Sequence, residues 1–317
     1  MDLYQVGKSG NPIYESAILK FEGVGGRDVY NCSIPFTWHG ETYLFGRVEK
    51  RSVWADSWSC LFRRTGKDLY EKVPESRIYQ LEDPYVFFWK DEIVLGGTHV
   101  VKEHGEIRTF TSYFYRGSDL MHLDYFTTGA DGMKDVRLTR MADGRIGVFS
   151  RPRGTEIAKK YGSEAMIGFT AITDLNELGA DTINRAEYIT GIFENGQWGG
   201  CNQAYLLKDG IIGVIGHLSN RIPQGEGKCD LLSYKNISFC FDPAKMRASD
   251  IRILATRSDY PDGPAKKPDL TDCAFTSGIE RRTDGRVNLY SGIGDCEEGR
   301  VVIDNPFGDL LLPSDAE

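Results

Sequence analysis

No apolar run in the chain approaches the roughly eighteen residues that a membrane-spanning helix needs. The opening segment MDLYQVGKSGNPIYESAILKFEG lacks the basic patch and apolar stretch of an export signal. Basic residues are in deficit, 38 Lys and Arg against 46 Asp and Glu. The resulting formal charge of -8 argues against a general nucleic-acid or anionic-membrane surface. The seven cysteines are odd in number, scattered, and without a CxxC pair, so no disulfide framework is expected. Free thiols in a cytoplasmic protein fit this usage, and the NCS and NIS strings then carry no weight as glycosylation sites. There is no phosphate loop, HExxH helix, GxSxG elbow or EF-hand loop. The five histidines are too dispersed to specify a metal, although His99 and His217 could meet. Neither metal nor cofactor is expected. Long amphipathic helices are also missing.

What is present is strand and turn. Five segments read as strand, short turn, strand: IPFTWHGETYLFGR, YVFFWKDEIVLGGTH, VRLTRMADGRIGVFSR, AYLLKDGIIGVIGH and FTSGIERRTDGRVNLYSG. Their turn markers, Gly40, Asp91, Gly144, Gly210 and Gly285, are spaced by 51, 53, 66 and 75 residues, an irregular repeat the size of one four-stranded blade. Further strand candidates fill the gaps, including SWSCLFRR, RTFTSYFYRG, EAMIGFTAI, NISFCFD and GRVVIDNPF. The pattern predicts an all-β chain, a five-bladed β-propeller over residues 1–317. Its last blade would be completed by an N-terminal strand, and its central funnel would hold the active site. A pair of β-sandwiches would also give many short strands, but five spaced hairpins without a linker favour the propeller.

The two ends of each hairpin share one rim, and both ends are polar in every repeat. Asp28 and Asn31 precede the first hairpin, and Arg47 and Glu49 follow it. Glu82 and Asp83 precede the second, with His99 after it. Lys134, Asp135 and Arg137 precede the third, and Arg151 and Arg153 follow. Asn202 and Gln203 precede the fourth, with His217 beyond. Asp272 precedes the fifth and Asp295 lies just past its end. A single rim residue is most simply a solvated charge, but recurrence in five repeats points to one polar pocket. In QLEDPYVFFWKDE the adjacent carboxylates and Pro84 suit a rim better than a core strand. In FSRPRG two arginines flank a proline and could offer forked donors to a phosphate or carboxylate.

The runs LEDP, YLLKDGIIGVIGH and LYSGIGD resemble signatures of the inverting β-mannoside phosphorylases, which are five-bladed propellers. RDVYN, LEDP and FSRP resemble those of a related group of mannosyltransferase/phosphorylases long catalogued as a domain of unknown function. The resemblance runs from about Arg27 to about Phe307. It implies that Asp83 is the catalytic acid, that Glu82 shapes the sugar site, and that Asp295 lies near the sugar subsite. It further implies that Lys134, Arg151 and His217 hold phosphate or sugar phosphate, with Arg153 as an extension. The phosphorylases usually carry Arg after the Pro, where this chain has Tyr85. Asp28, Asn31, Arg47, Asp135, Asn202, Gln203 and Asp272 complete the expected substrate-binding set.

The implied reaction exchanges a mannosyl unit between a β-mannoside and phosphate, which needs one general acid and an attacking phosphate. The expected partners are a saccharide and inorganic phosphate or a sugar phosphate. Glu82 beside Asp83, with burial, is expected to keep Asp83 protonated near neutrality. Two alternatives stand. A propeller hydrolase would use water and a second carboxylate, for which Asp28, Asp135 and Asp272 are available. An idle saccharide-binding propeller would need none of this chemistry.

Overall fold

A computed structural model describes residues 9–53 and 55–311. They form five antiparallel sheets arranged as the blades of a propeller. The first blade comprises Asp28–Tyr30 and Phe36–Trp38, then Glu41–Glu49, Trp58–Gly66 and Leu69–Lys72. Lys20–Glu22 adds to its outer edge in parallel. The second runs Glu82–Trp89, Glu92–Glu103, Glu106–Gly117, Asp124–Asp131; the third Lys134–Arg140, Ile146–Arg151, Ile167–Ile172, Glu187–Ile189. The fourth is Gln197–Leu206, Ile212–Ile222, Leu231–Asp242, Arg247–Ala255. The fifth is Ala274–Arg281, Val287–Ile293, Glu297–Ile303, and the N-terminal strand Glu15–Ile18 completes it, with Glu15 opposite Val302. The ring is therefore clasped by its own N-terminal region, as the repeat predicts.

Alternation along the strands builds the core. In YVFFW, Tyr85 and Phe87 pack toward the third blade with Val136, Leu138 and Val148, while Val86 packs toward the first with Phe36 and Phe45. Similar apolar clusters fill the other seams, and each fully buried side chain of this kind contributes about 1.5–3 kcal/mol. The turn residues behave as their chemistry requires. His39 and Gly40 both have positive φ, 48° and 81°, the pattern of a two-residue type I′ hairpin.

One irregularity recurs and makes the site. In the first strand of the second blade, Glu82 pairs with Thr98 and Tyr85 with Gly96, so Asp83 and Pro84 face a single partner residue. The third blade repeats this between Lys134 and Arg137, the fourth between Cys201 and Gln203, and the fifth between Thr276 and Gly278. In the first blade the strand breaks between Tyr30 and Phe36. A β-bulge re-aims the side chain it carries. The bulged positions carry Asp83, Asp135, Asn202 and Ser277, with Asn31 at the break. Asn31, Asp83 and Asp135 have φ of 47°, 50° and 54°, a left-handed conformation uncommon outside glycine that Asn and Asp tolerate best. Pro84, which has no N–H to donate, sits where the ladder is already interrupted.

Candidate active site

The innermost strands bring Asn31, Asp83, Arg137, Asn202, Gln203 and Ser277 around one axial cavity. Its free space is only about 10 Å³. The charged groups of the inner strands divide into two sets. In the first, Asp83 Oδ1 accepts from Asn31 Nδ2 at 2.8 Å and Arg47 Nη1 at 3.0 Å. Arg47 Nη2 also donates to Glu82 Oε1 at 3.0 Å, and Lys134 Nζ to Glu82 Oε2 at 2.8 Å. These two cations hold the Glu82 carboxyl below its ordinary range despite burial. Glu82 is therefore an ionised neighbour whose charge is met by Arg47 and Lys134. The group that carries the upward shift is Asp295. Burial lifts its pKa to about 6, with the Asp83 and Glu82 charges adding to the rise and Arg47 opposing it.

The second set is cationic. Arg151 Nη1 meets Asp135 Oδ2 at 2.6 Å, and Arg137 Nη2 lies 3.6 Å from Asp135 Oδ1. Asp135 is 1% exposed and held well below the usual carboxylate range by Arg151 and Arg137, against burial that opposes the shift. Asp135 thus stands behind Arg151 as its counter-charge, a correction to its expected contact with substrate. His217 is fully buried between Tyr234 and Phe275 and donates from Nδ1 to Asn202 Oδ1 at 2.7 Å. Burial, then the Arg151 charge, lowers its pKa to about 3, so the ring is neutral at pH 7 and Nε2 is a lone-pair acceptor. Gly200 makes this approach possible: a Cβ there would lie 3.0 Å from His217 Cε1 and 3.1 Å from Arg151 Cδ. Lys134 and Arg153 flank the Phe110 ring at 5.0 and 5.7 Å, which brings the FSRPRG arginines and Lys134 to one mouth.

Buried polar atoms without a hydrogen bond occur at several places among the described residues, Asn31 Oδ1 included, and in this half they comprise Arg151 Nε, Asn202 Nδ2 and His217 Nε2 together with Asp135 Oδ1. Leaving such a donor or acceptor unsatisfied costs about 1–3 kcal/mol, a cost that a bound oxyanion would relieve.

Some sequence candidates fall elsewhere. Asp28 pairs with Arg51 and lines a separate cavity of about 170 Å³ with Arg27 and Glu297, because it precedes the break at Asn31 by three residues. Asp272 lies just before the first strand of the fifth blade, where its carbonyl accepts from Tyr234 N, and it makes no ion pair among the described residues. His99 bonds the Gln80 carbonyl and stacks on Tyr113, so it does not meet His217. No group of His, Cys, Asp and Glu suited to a metal occurs among the described residues.

Arg137, one of the polar groups that open the third hairpin, makes contacts that its place in the sequence does not reveal. Arg137 donates from Nε to the Asn202 carbonyl at 2.9 Å and from Nη2 to the Asp83 carbonyl at 3.4 Å, tying two bulges together. Its guanidinium lies 4.6 Å from the Tyr85 ring centre. A cation is thus present beside Tyr85, although it comes from the neighbouring blade. The signal available was the R in DVRLTR, an arginine alternating with apolar residues in a strand. Ser277 and Glu298 were missed, because neither stands out from the ordinary composition of a strand.

A five-bladed propeller with carboxylates and cations gathered at its inner strands has the architecture of the mannoside phosphorylase propellers. A β-1,2-mannobiose phosphorylase from Listeria innocua shares the fold at 13% identity, with a TM-score of 0.62 over 94% of both chains. More specifically, the chain belongs to the family described as protein of unknown function DUF1861, whose model matches residues 5–309. Two Leishmania mexicana structures are much more similar. MPT-4, a mannose phosphorylase in complex with phosphate ion, is 47% identical, covering 96% of this chain and 94% of that one, with a TM-score of 0.87. MPT-1, a GDP-Man-dependent mannosyltransferase, is 40% identical over the same shares, with a TM-score of 0.88. Among curated proteins, no match is found.

Proposed function

We propose that the protein is a mannosyl-transferring enzyme, an inverting β-mannoside phosphorylase working as one catalytic unit. The observation that carries this reading is the cluster of unpartnered buried groups, Arg151 Nε, Asn202 Nδ2 and His217 Nε2, across from Asp83. Two relatives at 40% and 47% identity, one described as a mannose phosphorylase holding phosphate and one as a mannosyltransferase, support it. Asp83 gives its proton to the glycosidic oxygen, directly or through a sugar hydroxyl, as the bond from that oxygen to the anomeric carbon breaks and the acceptor sugar leaves as an alcohol, while a phosphate oxygen bonds the anomeric carbon from the opposite face. Asn31 and Arg47 hold Asp83; Glu82, Gln203 and Asp295 face the sugar. Lys134, Arg151 and Arg153 bind the anion, and a phosphate hydroxyl donates to His217 Nε2.

The reaction needs no second carboxylate to activate water. Two of the three bases available to a hydrolase are already committed, Asp28 to Arg51 and Asp135 to Arg151. All seven cysteines are unpaired, which supports a reducing, cytoplasmic setting, and no helix of the described residues is long and apolar enough to cross a membrane. The test incubates the purified protein with mannose 1-phosphate or GDP-mannose and a mannose acceptor. Phosphate release and a longer saccharide are expected from the sugar phosphate. Turnover of GDP-mannose alone makes the protein a nucleotide-sugar transferase, and no product from either donor removes the reading.

A further inference from the structure

Behind the axial cavity, at the seam of the first and fifth blades, lies a carboxyl that the reaction does not use. Glu298 is completely buried. Its Oε2 accepts from Cys32 N at 3.0 Å, and its Oε1 shares a hydrogen bond with Ser277 Oγ at 2.8 Å. The Asn31 amide faces the same carboxyl. Glu298 therefore grips both the break in the first blade and the bulge of the fifth. Its cross-strand partner is Gly292, and the Asn31 side chain lies directly on that glycine: a Cβ there would fall 1.7 Å from Asn31 Oδ1. Asn31 is thus seated from below by Gly292 and held through its backbone by Glu298, in a left-handed conformation with φ of 47°. From that seat its amide reaches Asp83 Oδ1 at 2.8 Å.

We propose that Glu298 is a positioning residue for the proton donor: it holds the Asn31–Cys32 turn, and Asn31 in turn holds Asp83 in its bulge. The inference rests on Asp83 acting as the acid of the proposed reaction. The facing titratable groups are the Cys32 thiol from the first blade and the Tyr260 phenol from the loop before the fifth blade. Burial raises Glu298 to about 8, so it carries its proton at neutral pH. A neutral carboxyl accepts from Cys32 N–H through one oxygen and bonds Ser277 through the other, a pattern that glutamine reproduces with Oε1 and Nε2. Above pH 8 a charge would form in a fully buried seam, and the turn would lose its seat. Because the folded value lies above that of the unfolded chain, the stability from this group is complete below about pH 4.3 and is lost as pH rises through about 8.

The experiment compares wild type, Glu298→Ala and Glu298→Gln for phosphate release from mannose 1-phosphate between pH 5.5 and 9.5. Misplacing a catalytic group by about 1 Å can cost around a hundredfold in rate. Glu298→Ala is accordingly expected to lose roughly ten- to a hundredfold in kcat with KM little changed, and Glu298→Gln to restore most of it and abolish the decline above pH 8. Unchanged kcat in Glu298→Ala, or an unchanged alkaline decline in Glu298→Gln, overturns the proposal. If Glu298→Ala does not fold, Gly292→Ala must reproduce the kcat loss by displacing Asn31, and full activity in it is equally fatal. If wild type turns over no donor, the functional reading falls. The positioning link is then decided by thermal midpoints of Glu298→Ala, Asn31→Ala and the double variant, where sub-additive shifts support it and additive shifts overturn it.

Discussion

The two halves of the site are unbalanced in opposite directions. Around Asp83, four carboxylates (Glu49, Glu82, Asp83 and Asp295) gather about Arg47, Lys134 and Lys266. Across the axis, Arg137, Arg151 and Arg153 are opposed mainly by Asp135. The surplus is written into the titrating groups of each half. Asp295 is lifted to about 6 by burial and then by its acidic neighbours, while His217 is lowered to about 3 by burial and then by Arg151. A half rich in carboxylates suits proton donation and a sugar that develops positive charge, and a half rich in cations suits an oxyanion. The contrast indicates that the sign of each half is set by which side chains of several blades meet there.

The contrast is broken most severely at its two centres. Asp83→Asn removes the donated proton and should lower turnover by about two to four orders of magnitude, yet leave phosphate affinity within a few fold, measured by titration calorimetry. Equal loss of both would mean that Asp83 serves the whole cavity rather than one half. Arg151→Ala attacks the other side. It leaves Asp135 buried beside one fewer guanidinium, so about 3–5 kcal/mol of stability should disappear in denaturant melts. Arg151→Lys keeps the charge without the fork and should raise KM for phosphate with a smaller change in stability.

A subtler test uses pH. Asp295 gains its charge as pH rises through about 6, so KM for the sugar should fall between pH 5 and 7, and Asp295→Asn should flatten that dependence. Because its folded value is raised, its stabilising contribution is complete below about pH 4 and is lost as pH rises through about 6. Asp295→Asn should therefore melt higher than wild type at pH 7.5 and show little difference at pH 4. The smallest effect belongs to Asp28→Asn, which should leave kcat and KM within about twofold. Its partner Arg51 is 45% exposed, and such pairs contribute about 0–1 kcal/mol. A large loss of activity in that variant would return Asp28 to the site.

Much of this arrangement is legible in the chain. Hairpin turns mark all five blades, with glycine at the turn in four of them and Lys90–Asp91 in the second, and polar pairs at strand starts mark the rim. What is not legible is which polar residue a bulge will carry inward. Asp28 and Asn31 stand three residues apart with similar credentials, but only Asn31 sits at the break that turns a side chain toward the axis. Asp135 and Asp83 occupy equivalent bulges, yet two arginines from its own blade claim the former. Arg137 and Glu298 look like ordinary strand residues because their partners, the Asn202 carbonyl and the Cys32 amide, are 65 and 266 residues away.

The sequence by itself determines the blade, since turn chemistry and alternation act between neighbours a few residues apart. It also determines the chemical inventory, with Asp83 and the FSRPRG arginines at strand ends. Ring closure, the left-handed seats of Asn31, Asp83 and Asp135, and the division into an acidic and a cationic half were decided only by tertiary structure. Each depends on electrostatic and packing contacts between blades, whose strength depends on separation in space and on burial, and neither quantity is a function of position along the chain.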